Sequence, residues 1–521
     1  MHYLVAQGLF RPLDVVVIVL NVAAMVGIGI YCARKTRSSE GYFLANRSMP
    51  GWVVGFSLMA TIVSSMTFLS HPGATYKDDW RFMPAHVLVL LPAILAYFIF
   101  MPFFRQGHVR SAYEYLENRF GTWARMYGAF SFLMTHMFRT GVILYVVSIP
   151  FQQMSGLELR DVIIILGVLV AIYTIAGGLE AVIWTDLLQG IALIGGGLIC
   201  IPIIAGLMPG GLGQIFSEAY EGGKFGVGST KFTFSEKTVW AIILTYQFIF
   251  LRLLCTDQGT VQRYLAMKTD DSARRGFFLG IVLTVPVWLY FAFVGTALFV
   301  YYNNYPDEMI DGISPEGVFP HFTLTKVPAG LAGFVIAGLL AAAMSTLDSS
   351  INASAATVTN DFYRRFFRSP RSERHYLRFG RWASLFFSVL MIVVALVIDY
   401  YRTETLLEMQ TIIYPIVGGG LVSLFLLGFF CTRVGNTAAL IATFSTLFLI
   451  IAWVLLDTDA GRNALPHLAN VLPDNFWIGI IPYAFLLIFG YSLSFIVSRE
   501  PGKNLAGLTI WTKGQAKVKP E

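Results

Sequence analysis

Charged residues are scarce in this chain. Asp, Glu, Lys and Arg make up 13% of its 521 residues, whereas hydrophobic residues make up 56%. Soluble domains carry about 25% charged residues, because their surfaces must be solvated. The shortage excludes a soluble domain as the bulk of the chain and predicts an integral membrane protein.

Cysteine is also scarce, and histidine is scattered. The four cysteines, Cys32, Cys200, Cys255 and Cys431, lie in or beside apolar runs and form no CxxC pair. The eight histidines show neither metal-ligand spacing nor a nucleophile–base pattern. We therefore expect no disulfide framework, no zinc site and no enzyme, and we interpret the thiols as small buried hydrophobic groups.

Thirteen apolar runs are long enough to cross a bilayer, which predicts an all-α polytopic membrane protein. The first of them exceeds the length of a signal peptide, so we expect it to be retained. The predicted spans are 12–33, 50–70, 82–104, 124–154, 160–176, 181–206, 237–256, 276–301, 327–360, 380–399, 405–430, 434–456 and 475–498.

Lys and Arg residues are concentrated in the connections on one side of these spans. That side carries 25 of them and the other side 10, with Arg139 and Arg252 inside spans. By the positive-inside rule, the N-terminus is outside and the C-terminus is in the cytoplasm of a plasma membrane, which suggests a bacterial inner membrane. The net charge of +6 forms no basic stripe, so we predict a lipid bilayer and a small solute as partners, with no nucleic acid and no obligate protein partner.

Three connecting segments have a distinct composition. Residues 111–121 alternate apolar and charged positions at helical spacing, which predicts a short interfacial helix in the cytoplasm. The glycine-rich segment 207–235 and the acidic segment 304–318 face outside, either as lids or as simple connections.

The second predicted span is unusually rich in hydroxyl groups. Thr61, Ser64, Ser65, Thr67 and Ser70 interrupt it within ten residues, and Pro72-Gly73 follows. Such hydroxyls let a membrane helix loosen and free carbonyl groups, which is a usual way for transporters to hold a cation and a solute near mid-membrane. Alternatively, they bond carbonyls four residues earlier and only pack.

The ninth predicted span is too polar for an ordinary membrane helix. Ala342, Ser345, Ser349 and Asn352 recur on one helical face, with Thr346 beside Ser345. Paired hydroxyls together with carbonyls of a loosened neighbouring helix provide neutral oxygen ligands, which suit a hard cation such as sodium.

Two carboxylates also lie inside spans, Asp186 and Asp348. Burying an ionisable group in a membrane costs about 3 kcal/mol on insertion scales, so both are candidate functional residues. Asp186 alternatively sits at a helix end, and Asp348 is equally consistent with a structural hydrogen-bond partner.

Three ordered motifs resemble the sodium:solute symporter family. They are Gly177-Gly178-Leu179-Glu180-Ala181-Val182-Ile183-Trp184-Thr185-Asp186-Leu187-Leu188-Gln189; Asp257-Gln258 with Val261-Gln262-Arg263-Tyr264-Leu265; and Ala343-Met344-Ser345-Thr346-Leu347-Asp348-Ser349-Ser350-Ile351-Asn352. The resemblance implies the leucine-transporter fold, with two five-helix repeats of inverted topology and flanking helices. On this basis we divide the chain into 1–49 (first flanking helix and cytoplasmic loop), 50–206 (first repeat), 207–236 (extracellular loop), 237–431 (second repeat) and 432–521 (C-terminal flanking helices and tail).

The resemblance also implies one or two sodium sites. The first uses backbone oxygens of Ala60, Val63 and Ala342 with the hydroxyls of Ser345 and Thr346. The second, present in some members, matches Asp186, Ser345, Asp348 and Ser349. This chain differs in having Asp at 348, where that site often has Ser or Ala; the extra carboxylate either strengthens the second site or couples a proton.

Arg139 is the residue most informative about the solute. A guanidinium deep in the fourth span needs an anion, and its two parallel donors match a carboxylate. An arginine at this position resembles the bacterial sialic acid symporters, in which positions matching Ser64 and Thr67 contact the substrate. A buried ion pair with a neighbouring span is the alternative. The further substrate candidates are Thr61, His86, Tyr246 and Gln247, of which His86 departs from the uncharged polar residue usual there.

Together these features predict a sodium-coupled symporter that imports a small anionic solute, best matched by sialic acid or a related sugar acid, by alternating access. The alternatives are a monocarboxylate, a vitamin acid or a neutral sugar as solute, or a proton-coupled carrier of the same fold. A membrane sensor is less favoured, because only some 23 residues follow the last predicted span.

Overall fold

The computed structural model describes residues 11–106, 110–367, 371–401, 418–497 and 505–512. In these ranges the chain is helical with no β-strand, and a single bridge joins Met49 to Met267. The main helices, in chain order, are α1 (Pro12–Lys35), α2 (Gly51–Ile62), α3 (Ser65–Lys77), α4 (Met83–Arg105), α5 (Tyr113–Phe120), α6 (Thr122–Ser155), α7 (Leu159–Leu207), α8 (Gly211–Glu221), α9 (Val239–Thr256), α10 (Gln258–Ala266), α11 (Asp270–Asn304), α12 (Pro315–Lys326), α13 (Leu331–Phe366), α14 (Glu373–Tyr401), α15 (Leu421–Phe430), α16 (Asn436–Asp457) and α17 (Ile481–Ile496).

The prediction of an all-α membrane protein is confirmed. Within the described ranges, nine helices are long and apolar enough to cross a bilayer, and the bent pair α2–α3 makes a tenth. Helices α15 and α17 are apolar but shorter. The number of thirteen spans stays a prediction, because the predicted span 405–430 lies partly outside the described residues and α7 covers two predicted spans.

The long helix α7 folds back on itself at Gly178. There φ is 63° and ψ is −159°, a conformation that only glycine adopts without strain. Tyr173, before this point, donates a hydrogen bond to Asp348, and Asp186, after it, interacts electrostatically with the same carboxylate. In a straight helix these two residues would lie about 20 Å apart. The predicted break between the fifth and sixth spans is therefore a turn centred on one glycine.

The predicted loosening of the second span is a full break. Helix α2 ends at Ile62, Val63 and Ser64 are extended, and α3 leaves at an angle of 52° to α2. The last carbonyl groups of α2 have no partner within the helix and remain available to other groups. Pro72 lies inside α3, and Gly295 of α11 approaches its carbonyl so closely that an added Cβ would lie 2.1 Å from that oxygen.

Helix α13 lies at the centre of the molecule. In its apolar window 89% of the residues are buried, compared with 17% for α1 and 33% for α16. Its polar residues from Ser345 to Asn352 are all buried. Hydroxyl and carboxylate groups in such a position must find partners on neighbouring helices, because no water replaces them there.

The predicted short helix at 111–121 is confirmed as α5, and ionic contacts hold it in place. Glu117 accepts hydrogen bonds from Arg125 of α6 at 2.7 Å and from Arg365 of α13 at 2.8 Å. Burial raises the pKa of Glu117, but these two guanidinium groups outweigh burial and hold that pKa at about 2. Arg125 also contacts Asp361 at 2.8 Å, so one network joins α5, α6 and α13.

The predicted outer segment 207–235 contains α8 and packs onto the end of α3. Lys224 Nζ donates hydrogen bonds to the carbonyl oxygens of Tyr76 and Asp78, each at 2.7 Å. Burial lowers the pKa of Lys224 to about 8. The ammonium group thereby satisfies carbonyls at the C-terminal end of α3.

Candidate functional site

The break in α2–α3 meets the hydroxyl face of α13. Ser345 Oγ donates hydrogen bonds to the carbonyl oxygens of Ala60 at 2.9 Å and of Ala342 at 3.1 Å. Thr346 Oγ1 lies 3.4 Å from the same Ala342 oxygen. Four of the five residues predicted for the first sodium site therefore lie in direct contact.

The fifth residue, Val63, lies in the break itself and is fully buried. The break exposes main-chain oxygens without adding charge, and the hydroxyls of α13 add two further oxygen atoms. A group of neutral oxygens about 3 Å apart is chemically suited to a hard monovalent cation, which the hydroxyls bind through their lone pairs. The arrangement fits sodium.

Two of the four residues predicted for a second sodium site, Asp186 and Ser349, contact the guanidinium of Arg263, and a third, Asp348, interacts with it electrostatically. Arg263 of α10 donates from Nη2 to Asp186 at 2.8 Å, to Ser349 at 2.6 Å and to Thr61 at 2.7 Å. Its Nε donates to Ser57 at 2.8 Å, and Ser57 in turn donates to Asp186. Both Arg263 and Asp186 are buried, so this is a fully enclosed ion pair.

The two buried carboxylates, Asp348 and Asp186, differ in their hydrogen-bond partners. Asp348 accepts from Tyr173 at 2.9 Å on one oxygen and from Ser349 at 3.3 Å on the other. Asp186 uses only Oδ2, and its buried Oδ1 has no hydrogen-bond partner in the described part of the chain. An unpartnered carboxylate oxygen beside hydroxyl groups is a suitable ligand for a cation.

Arg139 lies half-buried on α6 and forms no ion pair or hydrogen bond with any described residue. One helical turn earlier, His136 contacts Asp257 at 2.8 Å and Ser350 at 3.0 Å. Arg139 interacts electrostatically with both His136 and Asp257. No described residue forms the alternative ion pair with Arg139, so none of them occupies its guanidinium donors.

Three other substrate candidates lie together between α4 and α9. The rings of His86 and Tyr246 are 4.9 Å apart, and Gln247 donates to the carbonyl of Ala85. The Gln247 Oε1 atom is buried without a hydrogen-bond partner among the described residues. His86 also contacts His71 of α3, one helical turn after Thr67.

The candidate hydroxyl residues of the second predicted span lie on two different sides of the break between α2 and α3. Ser64 and Thr67 are buried at the start of α3, on the side of the break that leads to His71. Thr61, by contrast, faces Arg263 and Ser349. Its hydroxyl therefore belongs to the Arg263 cluster in this conformation.

Sequence analysis gave no role to Arg263, His136, Asp257 or His71. Arg263 and Asp257 stood in motifs that we singled out, and His136 stands three residues from Arg139. The available signal was the position of Arg263 inside the motif Val261–Leu265. The partners of these residues are distant in the chain, so their roles needed the fold.

Known protein sequences are similar to this chain over most of its length. A profile of the sodium:solute symporter family matches residues 42–445. The sodium/sialic acid symporter NanT of Aliivibrio fischeri is 29% identical over 92% of this chain and 93% of its own length. SiaT of Proteus mirabilis, also a sodium/sialic acid symporter, is 29% identical over 82% and 87%. The human sodium-coupled monocarboxylate transporter 1 is 29% identical over 86% and 74%.

Solved structures are similar over most of the chain. The substrate-bound, outward-open structure of a Na+-coupled sialic acid symporter, which revealed a novel Na+ site, has a TM-score of 0.86 at 27% identity and covers 94% of this chain and 98% of that one. Mhp1, a nucleobase-cation-symport-1 family transporter, has a TM-score of 0.55 at 14% identity over 87% and 92%. The second similarity concerns the fold alone.

Proposed function

The chain belongs to the sodium:solute symporter family and has the leucine-transporter fold, and from this premise we propose that it imports sialic acid or a related sugar acid together with sodium. It is an integral membrane transporter rather than an enzyme, and sodium is the coupling ion. The similarity to two sialic acid symporters over more than four fifths of the chain supports the choice of solute.

One observation carries the proposed coupling: Ser345 of α13 bonds the Ala60 carbonyl at the broken helix. Sodium held by Ala60, Val63, Ala342, Ser345 and Thr346 replaces this hydrogen bond with several oxygen–metal contacts. Binding then joins α2 to α13. A cation that binds one conformation at 100 times its dissociation constant stabilises that conformation by about 2.7 kcal/mol, which is enough to bias alternating access.

In this proposal Arg139 binds the substrate carboxylate. Its guanidinium has no ion-pair partner among the described residues, and two parallel N–H donors fit a carboxylate. The remaining candidate contacts, Ser64, Thr67, His86, Tyr246 and Gln247, offer hydroxyl, imidazole and amide groups suited to a sugar acid. Thr61 joins them only if Arg263 releases it.

A second sodium at Asp186, Ser345, Asp348 and Ser349 is part of the proposal. The unpartnered Oδ1 of Asp186 supports it, and so does the additional Na+ site of the similar sialic acid symporter. In the conformation described here Arg263 already contacts Asp186 and Ser349. A sodium ion at this position therefore requires the guanidinium to move.

We also propose the membrane orientation and the domain division given by the sequence. The N-terminus lies outside and the C-terminus in the cytoplasm of a bacterial inner membrane, with repeats at 50–206 and 237–431. No obligate protein partner is included in this proposal.

A monocarboxylate is the second candidate solute. It is favoured by the similarity to the human sodium-coupled monocarboxylate transporter 1, and Arg139 would bind its carboxylate equally well. The polar side chains beyond Arg139 discriminate between the two solutes, because a small monocarboxylate would leave Gln247 and His86 without a partner on the solute.

Sodium-stimulated uptake of radiolabelled sialic acid into proteoliposomes tests the proposal. The double variant Ser345→Ala with Thr346→Ala removes both hydroxyl ligands, and we expect its half-saturating sodium concentration to rise at least about tenfold, as the loss of two oxygen contacts implies. Ser354→Ala is the matched control, since Ser354 is a buried serine on the opposite face of the same helix. Unchanged sodium dependence in the double variant would refute the first site.

A further inference from the structure

Two histidines from different helices meet between α3 and α4. The Nε2 atoms of His71 and His86 lie 3.2 Å apart, and the ring centroids are 4.6 Å apart. His71 follows Thr67 by one helical turn, and His86 contacts the ring of Tyr246 at 4.9 Å. The pair therefore adjoins two of the candidate substrate contacts.

The other ring nitrogens limit which atoms carry hydrogen. His86 Nδ1 lies 2.8 Å from the carbonyl oxygen of Phe82, which accepts but cannot donate, so this nitrogen carries a hydrogen. The main-chain carbonyl of Thr67 interacts with the His71 ring, which leaves His71 free to place its hydrogen on Nδ1 as His86 does. When both Nδ1 atoms donate to main-chain carbonyls, two neutral rings would direct bare lone pairs at each other across 3.2 Å. One additional proton between the two Nε2 atoms turns this repulsion into a hydrogen bond.

The surroundings of the pair are aromatic. Trp288 of α11 stacks parallel to His71 at 6.5 Å and meets His86 edge-on at 4.5 Å, and Phe250 of α9 completes the enclosure of His86. Aromatic faces stabilise a cation without neutralising it. The pair can therefore hold a positive charge that remains available to an anion.

The charged groups of the neighbouring helices interact with residues other than the two histidines. Among the described residues whose side chains face the pair, only Tyr246 is titratable. On the helices packed against α3, Asp348 of α13 accepts from Tyr173 and His321 of α12 contacts Asp307, while Arg139 of α6 lies beside His136 and Asp257. No carboxylate of the described residues forms an ion pair with either histidine.

We propose that His71 and His86 form a proton-binding site beside the candidate substrate contacts Thr67 and Tyr246, in which one proton shared by the two Nε2 atoms gives the pair a single positive charge that favours an acidic substrate. The inference rests on the proposed function for its substrate class. The proton comes from the aqueous medium and returns to it, and only N–H bonds form and break. As pH rises the shared proton is lost, and affinity for the acid falls by up to about tenfold per pH unit within the titration range.

Two readouts on purified protein test this inference. The first is proton binding between pH 5 and pH 8, measured by titration without substrate, for the wild type and for His71→Gln. The Gln amide donates to His86 Nε2 without an extra proton, so we expect the wild type to bind about one proton more than the variant over this range. His321→Gln serves as control for removal of a histidine outside the cavity, and thermal unfolding verifies that both variants fold.

The second readout is the KM for sialic acid uptake at saturating sodium from pH 5.5 to pH 8. We expect the wild-type KM to rise at least fivefold with pH, the His71→Gln profile to be flat, and His321→Gln to keep the wild-type slope. Equal proton binding, or an equal slope in wild type and His71→Gln, overturns the inference. Absence of sodium-dependent uptake in the wild type overturns the proposed function instead, while the titration still decides whether the pair binds a proton.

Discussion

In the proposed function a single residue, Arg139, selects the class of solute. A half-buried guanidinium without an ion pair among the described residues is unfavourable in a membrane helix unless a ligand supplies an anion. Among the described residues, Arg139 interacts electrostatically with His136 and Asp257, which contact each other at 2.8 Å. The substrate carboxylate can therefore approach Arg139 without breaking an existing ion pair of that residue.

Replacing Arg139 should weaken binding of acids selectively. Each hydrogen bond to a charged group contributes about 1.5–3 kcal/mol, so Arg139→Ala should raise the KM for sialic acid about 10- to 100-fold with little change in sodium affinity. Concentration-dependent uptake at saturating sodium measures this. Arg160→Ala removes an exposed arginine at the start of α7 and should leave the KM unchanged. Retention of wild-type acid uptake by Arg139→Ala would refute the role of Arg139 in binding the substrate carboxylate.

For individual residues, the sequence predicted the contact between the hydroxyl groups of α13 and the broken helix. It did not predict the contacts among the charged residues. Hydroxyls repeated on one face of α13 indicated a polar seam, and the contact of Ser345 with Ala60 agrees with it. The Arg263 cluster joins residues from four separate helices, among them Ser57 and Asp186. Neither periodicity nor composition reports such contacts, because they depend on how helices are arranged in space.

The turn at Gly178 is the decisive feature at the scale of helices. It lets the two halves of α7 approach Asp348 together, through Tyr173 and Asp186. The sequence predicted a break at 177–180 from its flanking apolar runs. It did not predict that a single residue would make the turn, because a Gly-Gly pair in an apolar run is also compatible with a longer loop.

An alanine at this turn should destabilise the protein strongly. Gly178→Ala places a Cβ 2.6 Å from the Tyr42 carbonyl oxygen and forces alanine to a φ of 63°, and strain and overpacking together cost about 2–6 kcal/mol. The midpoint of thermal unfolding in detergent measures the effect. Gly206→Ala, at an open position in the same helix, should keep or slightly raise the midpoint, because alanine is the better helix former. Equal midpoints for the two variants would contradict the strained turn.

At the scale of the whole molecule, the distribution of basic residues predicts the orientation of the chain in the membrane. Because 25 basic residues lie in the connections on one side and 10 on the other, we expect the segment containing α8 to face outward and the start of α14 to face inward. The fold itself does not define this orientation, since an inverted repeat presents similar helices to both faces.

Cysteine labelling on intact cells measures this orientation. In a background with the four native cysteines replaced, we expect a membrane-impermeant maleimide to label Ser217→Cys and not Ser372→Cys; both positions are exposed in the structure. Labelling of Ser372→Cys before the cells are permeabilised would reverse the predicted topology. Permeabilised cells, in which both positions should react, provide the control.

The guanidinium of Arg263 has an electrical consequence for the transport cycle. In the proposed cycle, as long as it contacts Asp186 and Ser349, the protein itself supplies the positive charge at the second site, and we expect one sodium ion to travel with one monovalent acid. Such a cycle moves no net charge, so membrane voltage contributes nothing to accumulation. If a second sodium displaces Arg263, each cycle carries one net positive charge and gains about 2.3 kcal/mol per 100 mV. If the proposed second site is correct, the position of one arginine side chain decides whether transport draws on the sodium gradient alone or on the membrane potential as well.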